Sequence, residues 1–140
     1  MNKVVKFTFK PNVFSGRFFF WIGPWEGQPL RDWYCGAWGL GDPNGFLGDE
    51  HFVDSSQYDG RACYPTNTYP IIMLKEPPFT PSVIGSLAHE IEHGVNRYLE
   101  ALGVHYCWQS EEVYAYLKGE LMECVLEYCW HGKQLPGLHV

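Results

Sequence analysis

The chain has 140 residues, of which 46% are hydrophobic and 19% charged, a balance that fits one folded domain and excludes intrinsic disorder. The formal net charge is −6. Residues 81–140 carry 3 basic and 8 acidic side chains, so a nucleic-acid backbone finds no basic surface there and we expect no nucleic-acid partner.

The sequence predicts a cytoplasmic protein without a membrane partner. Its longest apolar run, Phe18–Ile22, is too short to span a bilayer. Lys6 and Lys10 interrupt any signal-peptide core near the start. The five cysteines are odd in number and form no C-x-x-C pair, which indicates reduced thiols. The oligomeric state stays open.

Short strands and turns are predicted for the first half of the chain. Residues 4–9 alternate in polarity after Val5, and residues 18–22 form an apolar run, so each predicts a strand. Residues 23–70 combine turn signals with many aromatic side chains. We expect turns held together by those rings, with short strands at most. Residues 71–74, bounded by prolines, are the best strand candidate.

Two amphipathic helices are predicted for the second half. Thr80 is a good N-cap for a helix over roughly residues 81–102, which Gly103 ends. Ser110 begins a second helix over roughly residues 110–131. The connection is short, so the helices are expected to be neighbours. The predicted fold class is α+β, with a small twisted aromatic-rich sheet packed on both helices in a single domain.

The clearest functional motif is H-E-x-x-H at His89, Glu90 and His93. Residues four apart share a helix face, so both imidazoles can bind one metal ion. They point away from the apolar stripe, beside the small residues Gly85 and Ser86. Glu90 can take a proton from a water on the metal. The alternative interpretation is two surface histidines among solvated carboxylates.

A catalytic zinc site needs a third protein ligand. The candidates are Glu111, Glu112, His105, His51 and Glu123. Glu112 is preferred, because it points opposite the apolar stripe of the second helix beside Ala115 and Gly119, whose small side chains allow close approach of the helices. Glu111, on the flank of the stripe, is the reserve. Alternatively, both acids only stabilise the start of the helix.

The motif His89-Glu90-x-x-His93, followed by an acidic residue on the next helix, resembles the gluzincin-type zincin metallopeptidases. The segment S-E-E-V-Y-A-Y-L at residues 110–117 is similar to a helix that follows H-E-x-x-H in small proteins of tailed phages. It is more loosely similar to the third-ligand helix of phage and mobile-element peptidases that cleave repressors. The resemblance covers about residues 71–128. It implies a minimal zincin-like fold that binds Zn²⁺ through His89, His93 and Glu112, with Glu90 as general base.

We therefore expect a zinc metallopeptidase that hydrolyses peptide bonds of a peptide or protein substrate, in the host cytoplasm if a phage encodes it. The alternative is a non-catalytic zincin-like protein that serves as a metal-binding, structural or interaction module. Tyr106, Tyr114 and Tyr116 are candidates for stabilising an oxyanion, although each is also explained by packing. Residues 71–74 are either an edge strand for a substrate peptide or an ordinary core strand.

Overall fold

The computed structural model describes residues 3–25, 28–38, 59–63 and 69–140. These residues form a small α+β fold with one mixed sheet and two long helices. In chain order the elements are β1 (Val5–Phe9), β2 (Phe18–Ile22), α1 (Gln28–Trp38), β3 (Gly60–Cys63), β4 (Ile71–Leu74), α2 (Pro81–Ala101), α3 (Glu111–His131) and β5 (Leu138–His139).

The five strands of the sheet lie in the order β3-β4-β2-β1-β5. β2 and β4 are parallel, with Phe20 opposite Ile72, and the other neighbouring pairs are antiparallel. β4 therefore lies inside the sheet, and among the described strands β3 and β5 form its two edges. The edge-strand alternative for residues 71–74 was therefore wrong, since β4 is paired with β2 on one side and with β3 on the other. The sequence did not reveal this, because residues 60–63, which form β3, carry little strand signal of their own.

Strand β2 is buried on both faces, which explains why its sequence is apolar throughout rather than alternating. Phe18, Phe20 and Ile22 belong to the core beneath α2 and α3. Phe19 and Trp21 belong to a second core on the opposite face of the sheet. A strand covered on both sides needs a second layer, and α1 supplies it.

Helix α1 was expected to be turns, and this expectation was wrong. Leu30 and Tyr34, one helical turn apart, are buried against that second face. The Tyr34 ring lies 4.7 Å from the ring of Phe19, edge to face. Pro29 stands in the first helical turn, where its missing N–H removes no helical hydrogen bond. The short apolar stripe of this helix is buried against strands that are distant in the chain.

Helices α2 and α3 have the predicted bounds within one residue. The Thr80 hydroxyl caps α2 by accepting the Val83 N–H at 3.3 Å, and Gly103 follows with a φ of 84°. Ser110 precedes α3, but its hydroxyl accepts the N–H of Cys107 at 3.0 Å. It therefore holds the connecting loop instead of the first turn of the helix.

Helix α2 lies across β3 and β4 and also packs against α3. It approaches the sheet closely at Gly94, where an added Cβ would lie 3.1 Å from Cδ1 of Ile72. Leu87 and Ile91 are buried on this inner side. Side chains on the opposite side of α2 therefore face outward, and the histidines of the motif are among them.

Within the described ranges, no helix combines the length and apolar character needed to cross a membrane.

Candidate functional site

Helix α2 brings the two histidines of the motif together at its exposed side. The Nε2 atoms of His89 and His93 are 3.2 Å apart. Their rings are nearly perpendicular, at 82°. Two nitrogen ligands of a tetrahedral zinc ion, with bonds of about 2.0–2.1 Å, lie about 3.3 Å apart. The two imidazoles therefore already have the spacing of two ligands of one ion.

Glu90 is buried, with 7% of its surface exposed, whereas His89 and His93 are exposed. Strand β3 covers it: a Cβ added at Gly60 would lie 3.0 Å from Cγ of Glu90. Its carboxylate accepts a hydrogen bond from the backbone N–H of Ala62. The sequence indicated the role of Glu90 but not its burial, because the covering strand is about 30 positions away in the chain.

The Glu90 carboxylate lies beside the histidine pair, with Oε1 3.7 Å from Nε2 of His89. Burial raises the pKa of Glu90, and the charges of His89 and His93 and the hydrogen bond from Ala62 oppose that effect in part. A carboxylate of raised basicity at this distance can exchange a proton with a molecule held at the two imidazoles.

A cleft of about 490 Å³ opens beside these groups, between the first turns of α2 and the start of β3. It is lined by Asp59, Gly60, Ser82, Gly85, Ser86, His89 and Glu90. Gly85 and Ser86 therefore lie beside open space next to His89. A reacting molecule in this cleft would touch both His89 and Glu90.

A third metal ligand is not assembled with the histidine pair in the described part of the chain, which holds no group of three or more His, Cys, Asp or Glu side chains suited to a metal ion. Glu112 lines a different, apolar pocket of about 320 Å³, between α3 and residues 11–14. Glu111 is exposed at the start of α3. Glu112 as a ligand stays a prediction from the resemblance.

The remaining candidate ligands have other positions. His105 Nδ1 lies 3.2 Å from Oε1 of Glu100, in the region of the connection between α2 and α3. Glu123 is exposed on α3. His51 lies outside the described residues.

The contact between α2 and α3 beside the histidines is polar, which the sequence did not predict. Lys118 Nζ donates to Oε1 of Glu92 at 2.9 Å, and Nδ2 of Asn96 donates to the same oxygen at 3.3 Å. The hydrogen bond from Lys118 lowers the pKa of Glu92. Ala115 is exposed, and an added Cβ at Gly119 meets no described atom within 4 Å. The expected close approach at these small residues was therefore wrong.

The three tyrosines proposed to stabilise an oxyanion lie in different surroundings. Tyr114 is buried, and its hydroxyl donates to the carbonyl of Val104. The Tyr106 ring packs edge-on against it, with centroids 5.0 Å apart. Tyr116 is exposed and lines the pocket that contains Glu112. Packing therefore explains Tyr114, as the alternative interpretation held, whereas Tyr106 and Tyr116 are largely exposed.

Comparison of the chain with protein-family models, with curated proteins and with solved structures finds no match.

Proposed function

We propose that the chain is a zincin-like, zinc-dependent metallopeptidase that hydrolyses peptide bonds. One observation carries this proposal: the Nε2 atoms of His89 and His93 converge to 3.2 Å beside the buried carboxylate of Glu90. His89, His93 and Glu90 would supply two of the three protein ligands and the general base that metal-assisted hydrolysis requires. The adjoining cleft gives a peptide access to His89 and Glu90.

In this proposal His89 and His93 hold the ion through their Nε2 atoms, and Glu112 remains the predicted third ligand. Zinc held there would supply Lewis acidity and would lower the pKa of a water molecule bound to it. Glu90 takes a proton from the attacking water and returns it to the leaving amine. The hydrogen bond from Ala62 fixes the orientation of the carboxylate, so that little reorganisation is needed when the proton moves.

Substitution of Glu90 tests catalysis separately from metal binding, because Glu90 is the proposed base and not a metal ligand. We expect the parent protein to retain about one zinc ion per chain after dialysis, and His89→Ala and His93→Ala to lose it. Glu90→Gln should keep the zinc and reduce turnover by about 10²–10⁴-fold, because the amide keeps the shape but accepts no proton. Zinc is measured by elemental analysis. Turnover is measured on a peptide found by digesting a peptide library with and without a chelator.

Glu92→Gln is the matched control for this experiment. Glu92 is also a carboxylate of the motif, but it faces Lys118 on α3. Zinc content and turnover close to those of the parent are expected from Glu92→Gln. If Glu90→Gln cleaves at the parental rate, Glu90 is not the base, even where the metal site stands.

The third-ligand prediction is tested by alanine variants of the two adjacent acids. If Glu112 binds the ion, Glu112→Ala weakens zinc affinity by at least tenfold while Glu111→Ala leaves it close to the parental value. Competition with a chromophoric chelator measures both affinities. The reverse order assigns the ligand to Glu111. Equal, parental affinities remove both acids from the site.

A second candidate function is a non-catalytic metal-binding module. It is favoured by one observation: in the described ranges no third ligand lies with the histidine pair. Such a protein would bind zinc through His89 and His93 yet leave every peptide of the library intact. Cleavage that a chelator abolishes and zinc restores would exclude this candidate.

A further inference from the structure

An apolar groove lies between helix α3 and residues 11–14, which belong to the connection from β1 to β2. Its volume is about 320 Å³. The apolar residues that line it are Pro11, Val13, Phe14, Val113, Tyr116 and Leu117. Among the described lining residues the polar ones are Asn12, Glu112 and Glu120. The groove shares no described lining residue with the cleft beside the histidine pair, so it is a separate feature of the surface.

Both walls of this groove expose apolar surface to water. Val13 is 85% exposed on the connection from β1 to β2, and Tyr116 is 77% exposed on α3. Such surface gains about 25 cal/mol per Å² when another apolar group covers it. Ligand sites are concave, mostly apolar and about 300–1,000 Å³ in volume, and tyrosine is enriched in protein interfaces. The groove therefore fits a large apolar side chain of another molecule.

Two carboxylates mark the length of the groove along α3. Glu112 and Glu120 are eight positions apart in this helix, which corresponds to about 12 Å. In the described part of the chain neither carboxylate has an ion-pair partner, and the lining includes no lysine or arginine. Lys10 and Lys118 adjoin lining residues in the sequence, but Lys118 pairs with Glu92 and Lys10 does not line the groove. The groove therefore presents negative charge without compensation.

Glu120 is the carboxylate that a nearby cation would affect more. It is half-buried, whereas Glu112 is exposed. Burial, followed by the charge of Glu123, raises the pKa of Glu120. A positive charge beside Glu120 would favour its ionised form and would offset the cost of burying that form. Glu120 is therefore the main group that selects the charge of an occupant.

The charge of the groove decides between the candidate occupants. A second copy of this chain would bring further acidic side chains, since the net charge is −6, and like charges across an interface are unfavourable. An anionic bilayer surface would be repelled for the same reason. A helix with basic residues seven positions apart presents them on one face about two turns apart, with the residues three and four positions along between them. Such a helix matches both the apolar walls and the two carboxylates.

We propose that this groove docks an amphipathic helix of a partner protein, which inserts a large apolar side chain and carries a lysine or arginine about one turn to either side of it. The apolar side chain contacts Val13 and Tyr116, and the basic side chains reach Glu112 and Glu120. The proposal uses none of the motif residues 89–93, so it is independent of the proposed function. Because Glu112 is also the predicted third zinc ligand, the tests of charge use Glu120.

Two designed peptides test the groove. The basic peptide is an alanine-based helix with two lysines seven positions apart and with leucines three and four positions after the first lysine; the acidic peptide has glutamate in place of both lysines. Each is titrated into the ¹⁵N-labelled chain, and the backbone amides of Val13 and Leu117 serve as reporters in ¹H–¹⁵N spectra. We expect saturable shifts with the basic peptide and at least tenfold weaker binding of the acidic one, because its charges are repelled. Equal affinities, or no shift with the basic peptide, overturn the proposal.

Substitution of Glu120 tests the selection of charge. Glu120→Gln should weaken the basic peptide about two- to fivefold, the range of one exposed ion pair. Glu120→Lys should weaken it further and strengthen the acidic peptide, because a cation then replaces the anion. Glu111→Gln is the matched control, since Glu111 is an exposed acid of the same helix that does not line the groove. If Glu111→Gln weakens binding as much as Glu120→Gln, the general charge of α3 attracts the peptide and the proposal is overturned.

Tyr116→Ala tests the apolar contact. The substitution keeps the fold, because Tyr116 is exposed and alanine favours a helix. It should weaken the basic peptide at least tenfold by removing an aromatic wall of the groove. Trp108→Ala is the matched control, since Trp108 is an equally exposed aromatic residue that does not line the groove. If both variants lose the same affinity, exposed aromatic surface in general holds the peptide and the groove is not the site.

Sedimentation velocity tests whether a second copy of the chain covers the groove instead. A chain that sediments as a monomer, both alone and when saturated with one basic peptide, supports the proposal. A dimer of the parent that Tyr116→Ala dissociates would place a second copy on the groove and overturn it.

Discussion

Among the four cysteines whose side chains the structure describes, Cys107 has the surroundings that most favour reaction. It is exposed in the connection between α2 and α3, and hydrogen bonds from Ser110 and Gln109 lower the pKa of its thiol. Cys124 and Cys129 lie on α3, where burial raises the pKa of each thiol to about 11. The thiolate is the reactive form, so these groups differ in both access and ionisation.

We therefore predict that iodoacetamide at pH 7.5 labels Cys107 at least tenfold faster than Cys124 or Cys129. Mass spectrometry of digested samples over time measures each rate. Ser110→Ala should slow the labelling of Cys107, because it removes the side-chain hydrogen bond that stabilises the thiolate. Labelling of Cys124 as fast as Cys107 would show that α3 opens readily.

At the scale of single residues, the sequence was sufficient to predict that His89 and His93 lie together, but not which groups surround them. His89 and His93 are four apart in one helix, so local periodicity alone brings their rings together. The burial of Glu90 depends on β3, and the pairing of Glu92 with Lys118 depends on the register between two helices. Neither long-range arrangement leaves a local signal.

The glycines of the two long helices have opposite structural roles. Gly94 is where α2 touches the sheet, since an added Cβ would lie 3.1 Å from Cδ1 and 3.3 Å from Cγ1 of Ile72. Gly119 faces open space on α3. Glycine lowers helix stability by about 1 kcal/mol relative to alanine wherever no packing compensates.

We predict that Gly119→Ala stabilises the protein by about 0.5–1 kcal/mol. Gly94→Leu should destabilise it by about 1–3 kcal/mol, because the larger side chain pushes α2 away from Ile72. Urea denaturation gives both free energies of unfolding. A stabilising Gly94→Leu would mean that the helix does not approach the sheet as the structure shows.

Among the elements, those with local start and stop signals were predicted best. Thr80 and Gly103 mark the ends of α2, and its bounds followed from them. Helix α1 was missed because the residues described on its buried face, among them Leu30 and Tyr34, form too short an apolar stripe to stand out in a segment rich in turn signals. The packing partner of that face is the second side of the sheet, which local sequence does not indicate.

The sheet as a whole separates two cores. The larger lies beneath α2 and α3, and the smaller packs against α1. The histidine pair lies outside both, on the exposed side of α2. Bound metal would therefore stabilise the protein without disturbing either core, and this stabilisation would depend on the imidazoles of His89 and His93.

We predict that zinc at about 100 times its dissociation constant stabilises the parent by about 2.7 kcal/mol. For a chain of this size that corresponds to a rise in Tm of about 10 °C. His93→Ala should show no zinc-dependent rise, because one imidazole alone holds the ion weakly. Differential scanning calorimetry with and without zinc measures both; an equal rise in the variant would place the metal elsewhere.

The parallel pairing of β2 with β4 also bears on the order of folding. Phe20 and Ile72 are register partners whose numbers differ by 52, so their meeting closes a long loop at an entropic cost that local contacts do not incur. The β1–β2 hairpin and the α2–α3 pair can each form from nearby residues. His89 and His93 meet as soon as α2 is helical, whereas Glu90 is enclosed only when β3, about 30 positions earlier in the chain, packs against α2. A nascent chain would gain affinity for metal before it gains a sheltered base.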